Sequence, residues 1–194
     1  FTYGLFIVLA FFATLWLALK RRKNLGEDHV YNISIISLVA GLIGARIAYI
    51  LTNPQFFHSF FDIIALWEGG LSFFGGLILA LIADFLYMKY KKLNFAEVID
   101  IFAPPFILGQ AIGRFGAFLS GVNPGLPTGV PWAIYHLGEY RHPAALYNVI
   151  ADLFIFFILL KLENKKFINK KSGNLFLFLL ILLGIERFFL DFFR

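Results

Sequence analysis

Apolar residues fill six long blocks of this chain: Phe1 to Leu19, Ile33 to Leu51, Gly69 to Met88, Phe95 to Leu119, Pro143 to Leu160 and Leu175 to Phe193. About twenty apolar residues, rising about 1.5 Å each, match the hydrocarbon thickness of a bilayer. Within the blocks the apolar positions follow one another without strict alternation, which predicts spanning helices and argues against barrel strands. The expected fold is all-α: a polytopic helical membrane protein with six visible spans, forming one transmembrane domain over residues 1–194. The chain begins at Phe1, and its first block lacks both a basic leader and a small-residue cleavage site. We therefore read that block as a span of a longer protein, not as a signal peptide, and a further span after Arg194 fits the same reading.

Two stretches break the rhythm. Phe56 to Leu66 (FFHSFFDIIAL) is aromatic, but it is short and carries His58, Ser59 and Asp62, which predicts an interfacial segment. Ser120 to His142 is the longest polar connection. Its prolines at 124, 127 and 131 and glycines at 121, 125, 129 and 138 predict a stiff, turn-rich cap. Glycines also punctuate the spans. For Gly41, Gly44 and Gly109 close helix packing is a sufficient account. For the pairs Gly69-Gly70 and Gly75-Gly76 a loosened or re-entrant backbone lining a cavity is as good an expectation as close packing, because paired glycines weaken a helix twice over.

A hydrophobic fraction of 60% and a mean hydropathy of +0.79 place the chain among membrane proteins and exclude a soluble-domain reading. It contains no cysteine, which rules out disulfides, thiolate metal ligation and a cysteine nucleophile on this chain. The net charge of +5 is first a topology signal. Twelve of the seventeen basic residues lie in three runs: Lys20-Arg21-Arg22-Lys23, the group Lys89, Lys91 and Lys92, and the group Lys161, Lys165, Lys166, Lys170 and Lys171. These runs mark alternate junctions between spans, and the positive-inside rule makes them cytoplasmic. Nucleic acid is not an expected partner, because the inner loops account for the basic excess.

The remaining five basic residues, Arg46, Arg114, Arg141, Arg187 and Arg194, are all arginines, and following the chain from each run places them towards the opposite face. Arg46 lies five residues before the end of its span, about 7.5 Å of helix rise, within snorkelling reach of the interface. Arg194 is either a flanking anchor or part of a cluster. Arg114 sits inside Gly113-Arg114-Phe115-Gly116, where small neighbours let a ligand approach. Arg187 stands inside a span beside Glu186 and shares a helix face with Asp191 and Arg194. The guanidinium forks around phosphate oxygens and never deprotonates, so the choice of arginine over lysine at all five positions points to a phosphodiester ligand. Intramembrane ionisable groups are functional candidates by default, although a structural Arg187/Asp191 pair is the plain alternative. Asp84, Glu97 and Asp100 are expected to pair with basic loop residues or water, Asp152 to be buried among polar partners, and His29 to be solvated in a loop. His136, Glu139 and His142 fall in the cap, and no His/Glu spacing forms a metal site.

The chain resembles the prolipoprotein diacylglyceryl transferases, bacterial inner-membrane enzymes, through an ordered series of short motifs spread over nearly its whole length. They are Tyr3-Gly4, Gly44-Ala45-Arg46, Trp67-Glu68-Gly69-Gly70-Leu71-Ser72-Phe73-Phe74-Gly75-Gly76, Gly113-Arg114-Phe115-Gly116, Pro127-Thr128, Pro131-Trp132, Arg141-His142-Pro143, Leu146-Tyr147, Glu186-Arg187-Phe188 and Asp191-Phe192-Phe193-Arg194. The resemblance implies transfer of the diacylglyceryl group of phosphatidylglycerol to the lipobox cysteine thiol of a prolipoprotein signal peptide, with release of glycerol phosphate and no cofactor. It assigns Arg114 and Arg187 to the phosphate-binding core, Tyr3 and Tyr147 to the cavity lining and Arg141 to the entrance. Arg46, Gly75, Gly76, Gly113, Gly116, Asp191 and Arg194 complete the expected substrate-binding set. The chain departs from the family pattern at Phe74, where a histidine is usual, and at Ala117, Val122, Asn148 and Asp191. Proton removal from the acceptor thiol then falls to water, to the departing phosphate or to His142, and a thiol with a pKa of about 8.5 already has some thiolate near neutrality. These departures also motivate an alternative, a non-catalytic phospholipid-binding or lipid-moving protein that retains the arginine site.

The topology is testable directly, because the chain has no cysteine of its own. A cysteine placed at Gly138 should react with an impermeant reagent from outside the cell, and one at Lys166 should not. The reverse labelling would overturn the orientation and with it the placing of the arginines.

Overall fold

The computed structural model describes residues 2–22, 24–57, 59–65, 69–122, 124–136, 138–165 and 172–194, Phe60 by its backbone alone. Lys23, His58, Leu66, Trp67, Glu68, Lys166, Lys170 and Lys171 of the stretches singled out above lie outside the described residues. Seven α-helices are described: α1 Thr2–Arg21, α2 Glu27–Thr52, α3 Phe60–Ile64, α4 Phe73–Tyr90, α5 Phe95–Leu119, α6 Ala144–Glu163 and α7 Asn174–Leu190. Single 3-10 turns cover Pro54–Phe56 and Asp191–Phe193, and two short strands, β1 Ile134–His136 and β2 Glu139–Arg141, pair antiparallel. Among the described residues α1, α2, α4, α5 and α6 are long and apolar enough to cross a membrane. The sixth apolar block forms α7, which has 17 residues and runs on into the terminal 3-10 turn. The protein is thus a helical membrane protein, and its helices fall into two compact units, Asn24–Phe95 and Phe1–Lys23 with Ala96–Arg194.

The first unit is built on backbone contact between α2 and α4. A Cβ on Gly44 would lie 2.4 Å from the carbonyl oxygen of Gly75, and one on Gly75 would lie 2.1 Å from Cβ of Ala48. A Cβ on Gly76 would stand 2.8 Å from the Gly41 oxygen. Without side chains in the way the two helices touch, which is the small-residue packing expected of helices in lipid. The loosened backbone expected at Gly75-Gly76 is therefore corrected: both are helical, and tight packing outweighs their low helix propensity. Gly69 and Gly70 do leave the helix, with φ of 86° and 73°. Towards the other ends of these helices Ser37 donates to Asp84 at 2.5 Å, and His29 lies 2.9 Å from the Tyr87 hydroxyl. His29 is thus part of α2 and hydrogen-bonded, not a solvated loop residue, and Asp84 is partnered by a hydroxyl and not by a basic loop.

The second unit packs α5, α6 and α7 around Ala103, Ile107, Ile155, Leu159, Leu175 and Leu179. Pro104 and Pro105 lie inside α5, fully buried. Pro105 has no N–H for the carbonyl of Ile101, and Arg21 Nε donates to that oxygen at 3.3 Å instead. Arg21 also pairs with Glu163, so this member of the first basic run ties α1, α5 and α6 together. Asp100 accepts from the backbone N–H groups of Gly173 at 2.6 Å and Phe176 at 2.8 Å, holding the start of α7. This replaces the expected basic partner by a helix N-terminus, whose unpaired N–H groups attract a carboxylate.

Residues 120–142 are ordered by backbone hydrogen bonds. Thr128 N donates to Tyr140 O at 2.9 Å, His142 N to Leu126 O at 3.0 Å and Leu126 N to Phe193 O at 3.0 Å. The connection is therefore laced to the terminal turn. Its β1–β2 hairpin is too short to leave a readable alternation in the sequence.

The α2–α4 contact carries a prediction. Gly44→Val should force the helices apart and cost about 1–3 kcal/mol, read as a fall in melting temperature in detergent. Gly113→Ala should hold that temperature or raise it slightly, since nothing lies within 4 Å of a Cβ there and alanine is the better helix former.

Candidate active site

The arginines divide by what their donors already hold. In the Asn24–Phe95 unit Arg46 is 7% exposed and its guanidinium meets five carbonyl oxygens. Nε donates to Ile63 at 3.0 Å, Nη1 to Gly69 at 2.5 Å and Gly70 at 3.0 Å, and Nη2 to Asp62 and to Ala65 at 3.2 Å. A guanidinium has five N–H groups, so all of them are engaged. The side chain does not snorkel; it clasps the turn between α3 and α4, with the Phe57 ring 5.1 Å away. Its expected part in substrate binding passes to holding this backbone. Gly75 and Gly76, placed in the same set, are occupied by helix packing as described.

Arg141 is also engaged. Nη1 donates to Gly125 O at 3.1 Å and Nη2 pairs with Glu139, while Nε is buried with no partner among the described residues. Gly125 threads between His142 and Phe193, where a Cβ would stand 2.6 Å from both carbonyl oxygens. Only glycine fits this close approach. Nothing in the sequence singles it out from the other glycines of the cap.

Arg114, Arg187 and Arg194 are different. Arg194 feels Arg187 and Arg114 as neighbouring cations and Asp191 as a neighbouring anion. Although Arg194 is solvent-exposed, partial desolvation first, then Arg187 and Arg114, lower its pKa, against a smaller opposing effect of Asp191. It stays cationic even so. Arg187 Nε lies 3.2 Å from Asp191 in an i,i+4 pair whose side chains are both about half exposed, so the pair adds little stability. The Nη atoms of Arg187, and all donors of Arg114 and Arg194, hold no hydrogen bond to a described residue. Arg114 on α5, Arg187 on α7 and Arg194 after the terminal turn are thus cations with open donors, and the other two both act on Arg194.

Behind them lies a polar group that sequence reading only half anticipated. Asp152 is fully buried on α6, and Gln110 of α5 donates to its Oδ1 at 2.8 Å. Arg114 acts electrostatically on both Asp152 and Glu186, and Glu186 also on Asp152. Burial of Asp152 among polar partners is as expected; the contributions of Gln110 and Glu186 are not, because three helices must pack before these residues meet.

Tyr3, in the first turn of α1, is 45% exposed. Gly116 is a packing residue, since a Cβ there would meet Phe6 at 2.3 Å, whereas Gly113 borders open space. Tyr147, on the first turn of α6, accepts from Trp132 Nε1 at 2.6 Å and lies 3.1 Å from His142 Nδ1. Of the departures from the family pattern, Phe74 is 72% exposed on α4, Ala117 is buried, and Asn148 turns back to Ala144 O at 2.7 Å. Val122 lines a cavity of about 10 Å³ with His136, room for one water molecule. Among the described residues no cluster of His, Asp and Glu is arranged to hold a metal.

The family model described as prolipoprotein diacylglyceryl transferase matches residues 1–194. Similar curated proteins carry the name phosphatidylglycerol–prolipoprotein diacylglyceryl transferase. That of Thermotoga maritima is 33% identical over 203 residues, covering 97% of this chain and 69% of its own length. Those of Finegoldia magna and Clostridioides difficile are each 36% identical, covering 97% of this chain and 77% and 76% of their own lengths.

The Arg46 clasp predicts a stability effect. Arg46→Lys keeps the charge but offers three donors for five carbonyls, so it should cost roughly 2–4 kcal/mol. The loss should appear as a lower melting temperature in detergent, with retained affinity for phosphatidylglycerol in the protein that remains folded.

Proposed function

The chain belongs to the prolipoprotein diacylglyceryl transferase family, and on that premise we propose that it transfers the diacylglyceryl group of phosphatidylglycerol to a prolipoprotein cysteine in a bacterial cytoplasmic membrane. It is a multi-pass membrane transferase of lipoprotein biosynthesis. The acceptor thiolate sulfur attacks the glyceryl carbon that bears the phosphodiester oxygen. A C–S bond forms as the C–O bond breaks, and glycerol phosphate leaves with the electron pair. The thiol proton goes to water or to the departing phosphate. No cofactor enters this balance.

The observation that carries this reading is the division of the arginines, which leaves the donors of Arg114 and Arg194 and the Nη atoms of Arg187 open on one group of elements. Negative charge gathers on the leaving phosphate in the transition state, and donors already aimed at that position stabilise it without reorganising. Arg114 and Arg187 hold the phosphate, and Arg194 adds charge at its edge. Asp191 orients Arg187 through Nε, leaving the terminal nitrogens to fork around two oxygens. Tyr3, Gly113 and Tyr147 line the space for the lipid, and Arg141 supports the entrance through its hold on the Gly125 backbone. The active face is the outer one, covered by residues 120–142 as a cap, and α7 with its terminal turn is the sixth span. The signal-peptide lipobox enters from that side.

Purified protein incubated with phosphatidylglycerol and a lipobox peptide should release glycerol phosphate only when the peptide carries its cysteine. No release under any condition, with lipid binding intact, would favour the non-catalytic reading. Arg114→Lys and Arg187→Lys should each lower kcat by about 10²–10³-fold, because a lysine keeps the charge and loses the fork. An Arg187→Lys enzyme of full activity would reduce Arg187 to a structural partner of Asp191.

A further inference from the structure

His142 is held more firmly than an average loop residue. Its N–H donates to Leu126 O at 3.0 Å, and its carbonyl accepts from Gly125 N at 3.0 Å and Ala144 N at 2.8 Å. It precedes Pro143, which restricts its backbone to extended conformations. Its ring stands edge-on to Phe193 at 5.2 Å, with Tyr147 at 5.9 Å, and the Tyr147 and Phe193 rings are 5.7 Å apart. Backbone and ring are therefore both pinned.

The hydrogen bonds around the Tyr147 hydroxyl then decide where the imidazole proton sits. Trp132 Nε1 is a donor only, so the phenolic oxygen accepts from it at 2.6 Å. The hydroxyl has one proton of its own to place. Among the described residues its one acceptor within reach is His142 Nδ1, at 3.1 Å. If Nδ1 carried a hydrogen, Oη would accept twice and its own proton would have no acceptor. The arrangement in which every donor is used has Trp132 donating to Tyr147 and Tyr147 donating to Nδ1. The neutral ring then carries its hydrogen on Nε2, which makes no hydrogen bond to a described residue. It belongs to the residue that follows Arg141, and Phe193, which the ring abuts, is followed by Arg194.

From this geometry we infer that Trp132 and Tyr147 are positioning residues that hold His142 as its Nε2–H tautomer, so that the ring donates a hydrogen bond to a head-group oxygen of the bound phospholipid. The residue that sequence reading offered as a base is then a donor. A ring whose Nε2 already bears hydrogen and whose Nδ1 is occupied by Tyr147 has no lone pair to offer the acceptor thiol. The head-group half of the inference rests on the proposed transferase reading; the tautomer does not.

The test uses the full chain in detergent micelles with ¹⁵N-labelled histidine, the His142 signals being identified by their loss in His142→Gln. Long-range ¹H–¹⁵N correlation at about pH 8, above the ordinary histidine value of about 6.5, reads the tautomer without turnover. The expected pattern is a single Nε2–H form that relaxes to a mixture in Tyr147→Phe and shifts part of the way in Trp132→Phe. An Nδ1–H form or a mixture in the unmodified protein would overturn the inference whatever the activity. Phosphatidylglycerol added to the micelles should move the Nε2 signal, and no movement at saturating lipid would overturn the head-group half. Turnover supplies a separate arm. The side-chain amide introduced by His142→Gln still reaches the Nε2 position as a donor, so that variant should keep activity within about fivefold, whereas His142→Ala should lose about 10–100-fold, the range of one hydrogen bond to a charged group. Equal losses in the two variants would restore His142 as a base and overturn the proposal.

Discussion

Every backbone N–H and C=O that lies in a bilayer must find a partner inside the protein, and the rest of this structure depends on how that requirement is met where the helices are interrupted. Pro105 orphans the Ile101 carbonyl, and Arg21 takes it. The last turn of α3, Ala65 and Gly69-Gly70 present five carbonyls to Arg46, and Gly125 presents one to Arg141. Asp100 does the same for N–H groups at the start of α7. In each case a charged side chain serves first as a backbone partner. The charge of each arginine is compensated by carbonyl dipoles, with a carboxylate as well at Glu163 and Glu139, and that of Asp100 by the N–H groups that donate to it.

The same requirement explains why Arg114, Arg187 and Arg194 stand out. They share the chemistry of the clasping arginines, yet no interrupted helix claims their donors. Arg194 is instead repelled by Arg187 and by Arg114, with Asp191 as partial relief. Like charges held close oppose one another, and an anion bound between them would relieve that repulsion. Asp152 and Glu186 offset the charge of Arg114 electrostatically, and Gln110 holds Asp152 by a hydrogen bond.

The connection 120–142 brings the third layer of order. Its composition suggests rigidity, and the rigidity arises from the lacing of Leu126 to Phe193, of Gly125 to His142 and of Thr128 to Tyr140. Through Phe193 this lacing reaches the turn that carries Asp191 and Arg194. The described part of this connection, His142 and the turn that carries Asp191 and Arg194 are thus joined by backbone hydrogen bonds.

How much of this was legible in the sequence follows from the range of each interaction. The spanning helices were, because continuous apolar blocks of bilayer length leave few alternatives, and so was the family, because its motifs keep their order along the whole chain. Packing of Gly41, Gly44 and Gly109 was foreseen, while for Gly75 and Gly76 packing and a break both stood open, since a glycine pair looks the same in sequence whether it loosens a helix or admits a neighbour. The sequence alone determined that five arginines lay outside the basic runs, residues whose planar guanidinium suits a phosphate. Only the tertiary structure decided which of them retain donors for one. Arg46 meets carbonyls 16 to 24 residues away and Arg141 one that is 16 away, and Trp132 reaches Tyr147 across 15 residues. Composition and helical periodicity carry no record of such contacts, because they exist only once the chain has turned back on itself.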